Sequence, residues 1–349
     1  MTEFMVTDQR DVVPKRLDRY RSFPVMARAA DGTILVAYRD GRSVPNTFSH
    51  GADGDSALIR SDGKAWSQPE LLYTHEGPLE EMGCELSCLA DGRLLLLSRQ
   101  WDSERTRTHA TYIAASEDGG RTFSPRRPID LPEFPVAGWV AYGKVIERGG
   151  GELLQGAYGK EANRKGYSAA CLVSRNGGQS WRVLSWVARC EPDMPTGFPE
   201  PLVVVLPDGS FHSLLRTNGL FYAARSADEG RTWSDTQPAF EGMAGAARVL
   251  AGGEMLVTYR GIHEKQTDRQ RPATVAVRVG RLYCWRVSDD GGASWGPEGV
   301  IDNGTAWQVG GFGMGDTLEL PDGRVKVIYY TSDRDQAPWL RECVLVRRG

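Results

Sequence analysis

The chain has 349 residues, a formal net charge of -3 and 40% hydrophobic residues. No Lys/Arg block exceeds a few residues, which argues against nucleic acid or an anionic membrane as a partner. No run is apolar and long enough to span a membrane, and Met1–Arg10 lacks the apolar core of a signal peptide, so the expectation is a cytoplasmic protein. Six cysteines are scattered without a Cys-x-x-Cys pair. That pattern predicts reduced thiols, no metal site and no bound cofactor.

In chain order, two short patterns alternate. The first is a turn followed by a β-rich strand. It begins at Ala30 (Ala30-Asp31-Gly32-Thr33-Ile34-Leu35-Val36-Ala37-Tyr38-Arg39) and returns at Ala90, then more loosely at Gly150, Pro207, Ala251 and Pro321. The second is a Ser, then Asp or Asn with Gly, then an aromatic. It reads Ser61–Trp66, Ser116–Phe123, Ser174–Trp181, Ser226–Trp233 and Ser288–Trp295. Its starts lie 55, 58, 52 and 62 residues apart. The glycines supply the positive φ of a tight turn, the carboxylate or amide bonds the turn's own N–H groups, and the aromatic packs beneath. A recurrence of this length is one supersecondary unit repeated. Six strand repeats with five turn motifs predict an all-β chain, residues 1–349 forming one closed ring of six blades. The sixth turn motif would fall where the chain ends, so Phe4–Val13 is expected to supply the outer strand of the last blade and remove its free edge.

The second pattern is the Asp-box, and the chain resembles the sialidase-like six-bladed β-propellers from end to end. The resemblance implies a glycan-active site at the axial face, where the inner-strand ends converge. Tyr20-Arg21-Ser22-Phe23-Pro24 is similar to the family's opening Tyr-Arg-Ile-Pro with one residue, Phe23, inserted. By that likeness Arg21 is the first arginine of a carboxylate-binding triad, and Arg42 is the neighbour touching ring substituents or the catalytic acid. Pro199-Glu200-Pro201, an apolar strand, Asp208-Gly209 and Arg216 match the family's Glu and second triad arginine. The third is expected at Arg281, with Arg278 the alternative. Three planar guanidinium forks around one carboxylate imply an acidic sugar as the partner. Glu85, Tyr142, Arg248 and Asp316 are read as equivalent positions in other blades, with Glu85 matching Glu200. Tyr259, Arg260 and the loop through His263 are read as a cover.

Two positions depart from the family. The nucleophilic Tyr, six residues before Leu320, is replaced by Met314. The acid Asp aligns with His50, with Asp53 three residues on, in the long loop Ser43–Asp55. His can serve as acid or base near neutrality. The leading expectation is an exo-acting glycoside hydrolase on a terminal acidic sugar. Glu200 would be its base or nucleophile helper, and His50 or Asp53 its acid. The first alternative is a uronate lyase working by β-elimination, and the second is a non-catalytic carbohydrate-binding propeller.

Overall fold

The computed structural model describes residues 2–348 apart from 45–49, 192–193, 195, 262–263, 266–277, 280–281, 304–312, 334 and 336. Six antiparallel four-stranded blades follow one another around a ring. Blade 1 runs Arg19–Arg28, Ile34–Arg42, Ala52–Ser61 and Glu70–Tyr73 from the axis outward, and blade 2 repeats it from Leu79–Cys88 to Arg127–Ile129. Blade 3 begins at Val136–Ala141 and carries a short extra strand, Ile146–Glu147. Blade 4 begins at Leu202–Val205, blade 5 at Met243–Val249 and blade 6 at Gly315–Glu319. The outer strand of blade 6 is Phe4–Val13, paired antiparallel with Trp339–Arg347. The N-terminus thus closes the ring where the sequence expectation put it, and the seam is held by backbone ladder bonds.

The second strand of each blade lies between neighbouring blades, so both its faces are largely buried. Every residue of Ser168–Ser174 is buried, as is every residue of Ile34–Arg42 except Arg42. Six apolar clusters result, one for each contact between adjacent blades. The Asp-boxes cap the third strands as the sequence implied. In the second, Gly120 N–H donates to Ser116 Oγ at 2.8 Å and Thr122 N–H to Asp118 Oδ1 at 2.9 Å. The fourth and fifth repeat these bonds around Asp228 and Asp290, whose carboxyls are pulled down to about 2 by the hydroxyl and amide donors.

One backbone feature positions the site. Within or just before each inner strand stands a residue of positive φ: Phe23, Gly83, Gly138, Glu200, Ala244 and Gly313. In blades 1, 2, 3 and 5 it coincides with a slip in the ladder to the second strand. An extra residue at this point reverses which face every upstream side chain takes.

Candidate functional site

A cavity of about 310 Å³ opens at the axis on the face where the inner strands begin. All six blades contribute. Its floor is a ring of residues in equivalent register: Val25, Glu85, Tyr142, Leu202, Ala246 and Asp316. Its wall includes residues in the later part of the second strands, each eight positions beyond the start of its turn pair. These are Arg99 after Asp91, Tyr158 after Gly150, Arg216 after Asp208 and Arg260 after Gly252. The same offset gives Arg39 in blade 1 and Tyr330 in blade 6, both buried behind the wall.

Glu200 is the best-defined side chain. It sits between two prolines with φ 57°, a conformation that costs a non-glycine residue about 1–3 kcal/mol. The strain aims its carboxylate at Arg216, whose Nη1 donates to Oε1 at 2.5 Å. Oε2 is buried and has no protein partner. Glu85 lies two register positions deeper, so it corresponds to Leu202 and Asp316 and not to Glu200, whose counterpart in blade 2 is Gly83. The phase slip makes these positions look alike in the sequence. Burial pushes the Glu85 carboxyl up to about 8, with Asp316 and Glu200 adding and Lys144 and the Gly143 backbone opposing.

Lys144 crosses the axis beside it. Its Nζ donates to the carbonyls of Met26 at 2.9 Å and Leu86 at 3.0 Å and to Asp316 Oδ2. One ammonium thereby ties blade 3 to blades 1, 2 and 6. The Tyr142 hydroxyl donates across the axis to the Gly245 carbonyl at 3.0 Å, and its burial holds the phenol protonated.

His50 hangs over the opening, edge-on to Phe23 at 5.0 Å between ring centroids. Burial and the guanidinium groups of Arg39, Arg99, Arg260 and Arg216 push it down to about 3. It is a neutral imidazole at neutral pH, which removes it as a proton donor and leaves it an acceptor. Its Nδ1 has no partner. Arg39 fixes this stretch: its Nη1 donates to the His50 carbonyl at 2.5 Å and its Nη2 to Glu80 at 2.6 Å. A Cβ at Gly54 would lie 2.4 Å from the Arg39 side chain, so the close approach requires glycine there.

The other expected residues lie elsewhere. Arg21 is buried, pairs with Asp40 at 3.4 Å and donates to the Pro14 carbonyl, away from the cavity. The inserted Phe23 takes the cavity-facing place, because its bulge turns Arg21 to the other face. Arg42 and Asp53 form an exposed pair at 2.7 Å and do not line the cavity, so Asp53 is not placed to act as the acid. Arg248 lies two residues past the floor position Ala246 and donates to the Thr317 carbonyl at 2.9 Å, linking blades 5 and 6. Tyr259 points into its blade, where its hydroxyl donates to Glu298 at 2.5 Å. Arg281, the Arg278 side chain and His263 lie outside the described residues. Arg99, Tyr158 and Lys144 were not singled out from the sequence, and Arg260 was read only as part of a cover. The fixed offset from the turn pair would have found all but Lys144.

A family model for the BNR repeat-like domain matches residues 53–278, more than half of the chain. The chain belongs to the BNR repeat-like domain family. No curated protein matches it. Among solved structures, a protein of unknown function from Dyadobacter fermentans DSM 18053 is similar, with 22% identity, a TM-score of 0.77, and 97% of this chain and 99% of that one covered. The Hadza microbial sialidase Hz136 aligns at 17% identity and TM-score 0.69 over 96% of this chain and 68% of that one. The Penicillium chrysogenum alpha-L-arabinanase complexed with arabinobiose aligns at 14% and 0.67 over 97% and 98%. At these identities the likeness establishes the sialidase-like propeller fold, a scaffold that carries a glycosidase in the sialidase and in the arabinanase, and leaves the chemistry to the site.

Proposed function

We propose that this BNR-repeat propeller is a glycoside hydrolase acting on a short, carboxylate-bearing saccharide. The observation that carries the reading is the pairing of two differently held carboxyl groups in one cavity. Glu85 keeps its proton to about pH 8, and Glu200 is ion-paired with Arg216 through one oxygen while the other has no protein partner. Two such groups supply the acid and base of glycoside cleavage. Glu85 donates its proton to the departing glycosidic oxygen. Water attacks the anomeric carbon and gives its proton to Glu200 Oε2. Exchange with solvent then returns Glu85 to the acid and Glu200 to the carboxylate. Met314 stands where the family's nucleophile would be, so attack by water replaces a covalent intermediate. Arg99 and Arg260 supply donor forks for an anionic substituent.

One observation favours a lyase as the second reading. Arg99 and Arg260 line the cavity and would neutralise a uronate carboxylate, and Tyr158, its phenol pushed up to about 12 by burial, is a protonated donor for the leaving oxygen, while the lowered pKa of His50 makes it a weak base. Product analysis on uronic-acid and sialic-acid glycosides separates the two. Hydrolysis releases a reducing end without ultraviolet absorbance, and elimination creates an absorbing double bond conjugated to the carboxylate. Undiminished turnover in both Glu200→Gln and Glu85→Gln would refute the hydrolytic assignment.

A further inference from the structure

The charges in the cavity divide into those already neutralised and those that are not. Arg216 is satisfied by Glu200, and Lys144 by Asp316. Behind the wall, Arg39 is satisfied by Glu80. Arg99 and Arg260 differ. Arg99 Nε donates to the Met82 carbonyl at 3.0 Å, and Arg260 Nε is buried without a hydrogen-bond partner. Neither guanidinium has a carboxylate partner among the described residues, and both line the cavity.

Their placement matters as much as their number. Arg99 lies in the second strand of blade 2, Leu94–Asp102, and Arg260 ends the second strand of blade 5. In a ring of six, blades 2 and 5 face each other across the axis. A single carboxylate engaged by one fork leaves the other guanidinium on the opposite wall, desolvated by the bound sugar and unpaired. Burying an unpaired charge is costly, so the best-matched ligand brings an anion to each wall. The cavity volume stands at the small end of ligand sites, about 300–1,000 Å³, so both anions belong to one short saccharide.

Building on the acidic-sugar reading of this site, we propose that its ligand is a doubly anionic short saccharide, one anion held by Arg99 and the other by Arg260. Two adjacent uronates, or a uronate joined to a sulfated sugar, both present this chemistry. The test is calorimetric titration in the Glu85→Gln background, which keeps that position neutral and blocks turnover. The probes are galacturonate, digalacturonate, a disaccharide with one carboxylate and one sulfate, and neutral galactobiose. The expected result is at least about tenfold tighter binding of one or both dianions than of galacturonate, as one added charge-assisted contact implies. Arg99→Gln and Arg260→Gln should each erase that preference while galacturonate binding survives, and Arg99→Lys should keep part of it. Which dianion prevails separates the dicarboxylate from the sulfated source. Equal affinity for galacturonate and both dianions, or loss of galacturonate binding on either single substitution, overturns the proposal and leaves the acidic-sugar reading standing. Galactobiose binding as tightly as the acids, or no binding by any acid, overturns both.

Discussion

The proton on Glu85 can be read out without any substrate. In the unfolded chain its carboxyl titrates at 4.5, and in the folded ring at about 8. Below pH 4.5 both states hold the proton and folding is unaffected. Between 4.5 and 8 the unfolded chain releases it while the native state keeps it, so native stability falls as pH rises. The slope is about 1.4 kcal/mol per pH unit, and over the whole gap the loss reaches about 5 kcal/mol. Water in the open cavity screens the charge, so about 2–4 kcal/mol is the working expectation. Glu85→Gln has nothing to titrate and fills the same space. The measurement is urea unfolding of both proteins from pH 5 to pH 9, comparing their difference at each pH so that every other titrating group cancels. The Glu85→Gln variant should be the more stable protein at pH 8–9, and the gap should close toward pH 5. A difference that stays flat across this range would show that Glu85 ionises normally, and the proton-donor assignment would fall with it.

Three further outcomes follow from the same packing. Arg216→Met leaves the Glu200 carboxylate part-buried without its partner, and should cost about 2–4 kcal/mol in thermal or urea unfolding, a loss that Glu200→Gln in the same chain should largely restore. Lys144→Met removes the cation that holds the Glu85 carboxyl down, so the alkaline limb of the activity profile should move above pH 8, and melting should fall because Asp316 loses its partner. His212 is fully buried with both ring nitrogens unpartnered and titrates at about 4, against 6.5 unfolded. Above pH 6.5 the ring is neutral in both states; as pH falls toward 4 the unfolded chain gains a proton that the native state refuses, and about 3 kcal/mol of stability is lost, a loss that His212→Gln should not show in acid unfolding curves.

The ring could be read from the chain because a propeller is a one-dimensional repeat. Each blade announces itself through local turn chemistry, as Asp118-Gly119-Gly120 does, and the count of such units sets the closure. Glu200 and Arg216 were legible for the same reason, since a strand, a turn and a strand place them side by side in one blade. Arg21 was misread because a single inserted residue, Phe23, shifts the motif by only one position yet reverses the face of every side chain before it. Glu85 was matched to the wrong neighbour through the same two-residue periodicity.

What the sequence by itself determined is the architecture: six blades, one ring, a seam closed by Phe4–Val13, and a strand-end position repeated eight residues after each turn pair. What only the tertiary structure decided is which of those strand ends meet at the axis with their charges unspent. Arg39 and Arg99 occupy the same place in their repeats, yet Arg39 is neutralised by Glu80 and Arg99 has no carboxylate within reach among the described residues. Local sequence sets the direction of a strand, but the partner of a charge comes from another blade, and that pairing exists only after the ring has closed.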